Sequence, residues 1–122
     1  MNQNKLLYVD DEFINLQLFK FNFQKEYELF LASSGPEALS ILEKEDIKVI
    51  ISDLKMPGMN GIELIKSIKH KSPNKICLML SAYYISEAKE MGLDESLIHK
   101  YIVKPWNKTE IIASLSNLFP DI

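Results

Sequence analysis

Five short apolar runs, separated by longer amphipathic stretches, constrain this chain more than any other feature. The runs are Lys5–Val9 (KLLYV), Glu28–Ala32 (ELFLA), Lys48–Ser52 (KVIIS), Lys75–Leu80 (KICLML) and Tyr101–Val103 (YIV), all of strand length and strand composition. Strands that are apolar almost throughout need cover on both faces, which is the mark of a parallel sheet. The stretches between them supply that cover. Phe13, Leu16, Phe19 (or Lys20) and Phe23 recur at helical spacing within Phe13–Phe23. Ser34-Gly35-Pro36-Glu37 predicts a capping box with proline in the first turn, followed by Ala38, Leu39, Ile41 and Leu42 on one face. Ile62, Ile65 and Ile68 stripe Asn60–Lys69, and Ser72-Pro73-Asn74 stops that helix. Ile111, Ile112, Leu115 and Leu118 mark a last helix over Asn107–Leu118. Ile85–Met91 reads as a helix that Gly92 breaks, and Leu93–Lys100 (LDESLIHK) as an extra helical turn. The expectation is one α/β domain over residues 1–122, a doubly wound five-stranded parallel sheet with helices on both faces.

Composition removes several classes of function. With 47% apolar and 25% charged residues the chain sits at the globular average. Its 14 basic residues are all lysine, against 17 acids, for a net charge of −3. A phosphate-backbone binder needs a basic stripe, and arginine is the usual bidentate reader of guanine, so no direct nucleic-acid contact is expected. No apolar stretch approaches the ~20 residues that span a bilayer, and the N-terminal Met1-Asn2-Gln3-Asn4-Lys5 does not read as a signal peptide. The single cysteine, Cys77, lies in an apolar run and reads as a core thiol, which fits a reducing, cytoplasmic compartment. The phenylalanines of the first helix (Phe13, Phe19, Phe21, Phe23) are expected mostly in the core, with Phe21 partly exposed. Lys66, Lys69, Lys71 and Lys75 are expected to solvate an edge, and His70 and His99 to lie on the surface. Trp106 fits either packed core or a partner-binding face.

In open parallel sheets chemistry gathers at the carboxyl ends of the strands. Here strand 1 ends in Asp10-Asp11-Glu12, strand 3 in Asp53, strand 4 in Ser81-Ala82 and strand 5 in Lys104-Pro105. Carboxylates gathered on one rim repel unless a cation holds them, and all-oxygen ligation suits a hard ion such as Mg²⁺. Capping of the first helix would account for one acid, but poorly for three with Asp53 facing them. A cis bond before Pro105 would aim Lys104 inward, making an anion trap with the metal, and Ser81 adds a hydroxyl donor. Together these residues suit a phosphoryl group on a carboxylate. In the loop Met56–Gly61, Pro57 and Gly58 make a turn, and Gly61 lets the next helix begin close to the sheet.

The acidic pair Asp10-Asp11, the run Asp53-Leu54-Lys55-Met56-Pro57-Gly58-Met59-Asn60-Gly61, Ser81-Ala82 and Lys104-Pro105 occur in order at domain-wide spacing. In this the chain resembles the receiver domain of two-component response regulators along almost its whole length. The resemblance implies a flavodoxin-like sheet of order 2-1-3-4-5 and Asp53 as phosphoacceptor. It implies Mg²⁺ bound directly by Asp11, through water by Asp10, and further by Asp53 and the Lys55 backbone carbonyl. Ser81 and Lys104 would each hold a phosphoryl oxygen, and Tyr101 would be the aromatic switch that turns inward when Ser81 moves. The implied donor is a sensor histidine kinase or a histidine phosphotransfer protein. The recipient of the signal would be a downstream protein or an output domain. Such a chain is a regulatory phosphoacceptor rather than an enzyme, although it assists its own Mg²⁺-dependent phosphorylation and dephosphorylation. The extra turn before strand 5 departs from the family pattern and borders the surface receivers use to signal.

Two other readings compete. A phosphohydrolase resembling the haloacid dehalogenase family needs a second acid two residues after its nucleophile, where this chain has Lys55. A constitutive interaction module with a vestigial site would be favoured if Asp11, Asp53 or Lys104 were replaced, and all three are present. Both a stand-alone receiver and a receiver from a longer regulator fit the sequence. Lys55 and Tyr83, two residues beyond Asp53 and Ser81, carry neither an acid nor an amide to orient water, and so are expected to shield an acyl phosphate.

Overall fold

A computed structural model describes residues 4–119. Strands β1 (Asn4–Val9), β2 (Tyr27–Ala32), β3 (Val49–Asp53), β4 (Ile76–Ser81) and β5 (Lys100–Val103) form one sheet of order β2-β1-β3-β4-β5. Every pairing is parallel. Helices α1 (Phe13–Phe23), α2 (Gly35–Lys44), α3 (Gly61–Lys71), α4 (Ile85–Glu90) and α5 (Lys108–Leu115) connect the strands or follow the last of them. This is the expected doubly wound sheet.

Strand alternation builds two cores. Leu6, Tyr8, Val49, Ile51, Leu78 and Leu80 face Leu16, Phe19 and Phe23 of α1 and Ile111 and Leu115 of α5. Leu7, Val9, Ile50, Cys77 and Met79 face α2, α3 and α4 on the other side. All five residues of β3 are buried, as its central place in the sheet requires. Each large side chain fully buried this way contributes about 1.5–3 kcal/mol, so the strands hold the fold and leave the rim for polar work.

Several local expectations need correction. Phe13 is not core: it is 71% exposed, with Ile14 beside it, while Phe21, expected to be partly exposed, is 78% exposed. The sheet can cover only one face of α1, and Leu16, Phe19 and Phe23 already fill it. Lys69 and Lys75 do not simply solvate an edge. Lys69 Nζ donates to the carbonyls of Pro73 and Lys75, and Lys75 Nζ to that of Ile47. The α2 box is half formed, since Ser34 accepts from the Glu37 N–H while Glu37 reaches Ser33 instead. A complete box opens α3, where Asn60 and Glu63 exchange bonds, and α3 runs to Lys71. The last helix stops at Leu115, with Leu118 still packed against the core.

Trp106 packs half-buried against Phe19 and Phe23, as the core reading has it, and its outer side lines a groove. His70 and His99 are exposed. Cys77 is buried, and burial pushes its thiol up to about 11, so it is inert packing. The extra turn is real but small: Gly92 at φ +105° ends α4, and Glu95–Leu97 forms one 3₁₀ turn.

Candidate functional site

The carboxyl rim brings together side chains from four strands. Asp53 is the last residue of β3, Ser81 the last of β4, and both are buried. Asp10 follows β1 and extends its ladder by one bond, its N–H reaching the Ala32 carbonyl at 3.1 Å. Lys104 follows β5, is likewise held by a ladder bond to the Ser81 carbonyl at 2.7 Å, and precedes a cis peptide to Pro105. Carboxylate oxygens of Asp10, Asp11 and Asp53 lie within 4.8 Å of one another. The Lys104 ammonium lies 3.2 Å from Asp10 Oδ2 and 3.5 Å from Asp53 Oδ1, bridging the two buried acids.

Asp10 is fully buried and fully engaged. Its Oδ2 accepts from the Tyr8 hydroxyl at 2.7 Å, Asn15 Nδ2 at 3.1 Å and Lys104 Nζ at 3.2 Å. Its Oδ1 accepts from the Glu12 N–H at 3.0 Å, which turns the chain into α1. These bonds, rather than a capping role, set its place; Glu12 is the N-cap of α1 and makes no side-chain cap. A carboxylate so occupied would reach a cation through water, whereas Asp11 faces solvent.

Asp53 is different. Burial raises its carboxyl from 3.8 to about 6, with Lys104 pulling it back down and Asp10 pushing it further up. The Leu54 N–H, 2.9 Å from Oδ1, fixes the carboxylate's rotation. Gly61 makes the adjoining loop possible: its N–H donates to the Leu54 carbonyl at 2.7 Å, and a Cβ there would collide with the Asp53 carbonyl. An acid held in this way, among like charges and short of water, suits a hard divalent cation and an incoming electrophile.

On the β4 side, Ser81 Oγ accepts from the Tyr83 N–H at 3.0 Å. The Tyr101 hydroxyl donates to the Tyr83 carbonyl, and its ring is half-buried. Burial raises the Tyr101 pKa, while the Ser81 hydroxyl acts against that rise. Lys55 is exposed on the loop after β3, with its ammonium 5.7 Å from the centre of the Tyr83 ring. The positions singled out in sequence therefore meet in one region.

Tyr8 and Asn15 were missed. Tyr8 sits two residues before Asp10, so strand alternation sends both side chains the same way. A lone hydroxyl in an otherwise aliphatic strand needs a partner when buried, and that signal was available. Burial, with Asp10 next in effect, pushes the Tyr8 pKa far above its usual value, leaving a neutral donor.

Comparison with known proteins gives a consistent picture. The model of the response regulator receiver domain family matches residues 6–116. Sporulation initiation phosphotransferase F of Bacillus subtilis is 35% identical over 98% of this chain and 97% of its own length. The hydrogenase transcriptional regulatory protein HoxA of Cupriavidus necator is 32% identical over 93% of this chain. That match spans only 23% of HoxA. Among solved structures, response regulator protein TrrA of Thermotoga maritima, in complex with Mg(2+)-BeF, superposes with a TM-score of 0.85. It is 30% identical, with 96% of this chain and 100% of that one covered.

Proposed function

The chain belongs to the response regulator receiver family, and from that premise we propose that it is a phosphorylation switch whose acceptor is Asp53. Domains of this family are regulatory and bind Mg²⁺ at an acidic pocket. The observation that carries the reading here is the convergence of Asp10, Asp11, Asp53 and Lys104 on one rim. Residues 1–122 are taken as one receiver unit, working in the cytoplasm, where the free Cys77 thiol stays reduced.

A carboxylate oxygen of Asp53 attacks the phosphorus of a phosphohistidine. The new O–P bond forms as the P–N bond breaks, and the imidazole leaves with the electron pair and takes up a proton. The Leu54 N–H holds the nucleophile in place. The all-oxygen set of Asp10, Asp11, Asp53 and the Lys55 carbonyl fits Mg²⁺, which when bound offsets charge on the acid and the phosphoryl oxygens. Lys104 neutralises one phosphoryl oxygen, and the Ser81 hydroxyl donates to another. Tyr101 follows Ser81 as the aromatic switch.

The donor is a sensor histidine kinase or a histidine phosphotransfer protein. Its histidine must touch Asp53 during transfer, so its body must cover the surface beside the rim. Part of that surface is apolar: Leu18 of α1 lines a groove with Pro105 and Trp106, and Ile14, one turn before Leu18 on the same helix, is exposed. The donor's complementary face is accordingly expected to be apolar. The signal passes to a downstream protein or output domain.

Incubation with a small phosphodonor and Mg²⁺ should add one base-labile phosphoryl group. Asp53→Asn and EDTA should each abolish it, and undiminished labelling of Asp53→Asn would overturn the assignment.

A further inference from the structure

We propose that Tyr8 is a positioning residue: with the Asn15 amide, its hydroxyl satisfies Asp10 Oδ2, so that Lys104 can leave Asp10 for an anion held at Asp53. The inference rests on the reading of Asp53 as phosphoacceptor. Oδ2 offers two lone pairs to three donors, and Lys104, at 3.2 Å, is the most distant of them. The two shorter bonds are neutral and come from rigid places. Tyr8 is 1% exposed, with its ring stacked on Phe19 at 4.1 Å between centroids, and Asn15 lies in the first turn of α1. Lys104 is the solvent-facing member, 22% exposed and bordering a groove of about 460 Å³ into which its long side chain can turn.

The consequence differs between two states. With Asp53 unmodified, Lys104 remains near Asp10, and loss of the Tyr8 hydroxyl is partly made good by it. Once a phosphoryl group draws Lys104 away, Asp10, 0% exposed, keeps the Glu12 N–H on Oδ1, and its Oδ2 depends on Tyr8 and Asn15 alone. Removing the hydroxyl therefore penalises the occupied state more than the empty one. A buried carboxylate deprived of a donor cannot recruit bulk water in its place.

Tyr8→Phe keeps the ring and its stacking. Trp106, the chain's single tryptophan, lines the same groove as Tyr8 and Lys104 and can report binding. Mg²⁺ is titrated alone, then beryllofluoride at saturating Mg²⁺, its tetrahedral fluorides standing in for a phosphoryl group. Tyr8→Phe should bind Mg²⁺ within twofold of wild type but beryllofluoride about tenfold more weakly, the scale of losing a supporting bond in a metal site. Asn15→Ala should shift in the same direction. Beryllofluoride affinity within twofold of wild type would overturn the proposal, as would equal weakening of both ligands, which would mark Tyr8 as support for the acidic cluster in general. If wild-type protein bound no beryllofluoride, the phosphoacceptor reading would fall first and the role of Tyr8 with it.

Discussion

The Tyr101 hydroxyl donates a 2.7 Å hydrogen bond to the backbone carbonyl of Tyr83. Ser81 Oγ meanwhile accepts from the N–H of the same Tyr83, so both sides of that residue are pinned to proposed switch residues. If Ser81 moves toward a phosphoryl oxygen as proposed, it would pull on Tyr83 and through it on Tyr101. Beryllofluoride with Mg²⁺ should shift the ring resonances of Tyr101 in wild-type protein. In Ser81→Ala that shift should shrink several-fold while Asp53 can still be phosphorylated. An undiminished shift in Ser81→Ala would remove the serine from the relay.

A second prediction concerns pH in the absence of metal. The Asp53 carboxyl is raised from 3.8 to about 6, chiefly by burial. A raised acid favours the folded state most below its unfolded pKa, and that contribution is lost as pH rises through the folded value. Between about pH 4 and 6 the ionising Asp53 should therefore cost stability, on the order of 3 kcal/mol by neutrality. In EDTA, Asp53→Asn should be the more stable protein at pH 7.5, with the advantage vanishing toward pH 4. Urea unfolding at a series of pH values measures it, and parallel pH profiles for the two proteins would contradict it.

The lifetime of the phosphorylated form supplies a third. Lys55 and Tyr83 stand as an ammonium over a ring, 5.7 Å apart. Their stem and ring can cover an acyl phosphate on Asp53, although the added positive charge could also assist hydrolysis. Lys104, and Mg²⁺ if bound as proposed, would already supply such charge, so shielding should dominate. After donor removal, phosphate release should be several-fold faster from Lys55→Asn and Tyr83→Ala than from wild type. Slower release would show that these side chains help the attacking water.

A fourth tests the loop that follows Asp53, the proposed acceptor. A Cβ at position 61 would meet backbone at Asp53 and Leu54, which cannot swing aside as a side chain can. Gly61→Ala should lose about 1–3 kcal/mol of stability and displace the acceptor. Asn60→Ala, which removes only the cap of α3, should lose about 1 kcal/mol and still be phosphorylated. Equal labelling of both variants would show the loop to be more forgiving than its packing suggests.

The fold was legible because the centres of β1, β3 and β4 are buried on both faces and so read as near-continuous apolar runs, a pattern that leaves few alternatives. The ends of those strands were legible for the converse reason: Asp10, Asp53, Ser81 and Lys104 are polar where the pattern breaks. Side-chain direction was harder. Phe13 reads as core in the sequence because periodicity counts apolar residues without knowing how much of a helix the sheet can cover. Tyr8 was read as strand filler because its hydroxyl matters only once Asp10 is known to stand on the same side. Lys69 and Lys75 appeared solvated because the carbonyls they reach belong to turns whose geometry no local pattern specifies.

Helix α4 has six residues, of which only Ala88 is buried, and Gly92 and a 3₁₀ turn follow where another turn of helix could have stood. A helix that short does not persist unaided in water; isolated helices need ~12–15 residues to be even marginal. Its local unfolding free energy should therefore lie near the bottom of the range for this molecule, well below that of the buried strands. Amide exchange in the segment between Ser81 and Tyr101 should accordingly be faster than in the strands. Pulling on Tyr83 need not force a rigid body to a new position. It would need only to reweight states that a helix as short as α4 can reach at low cost.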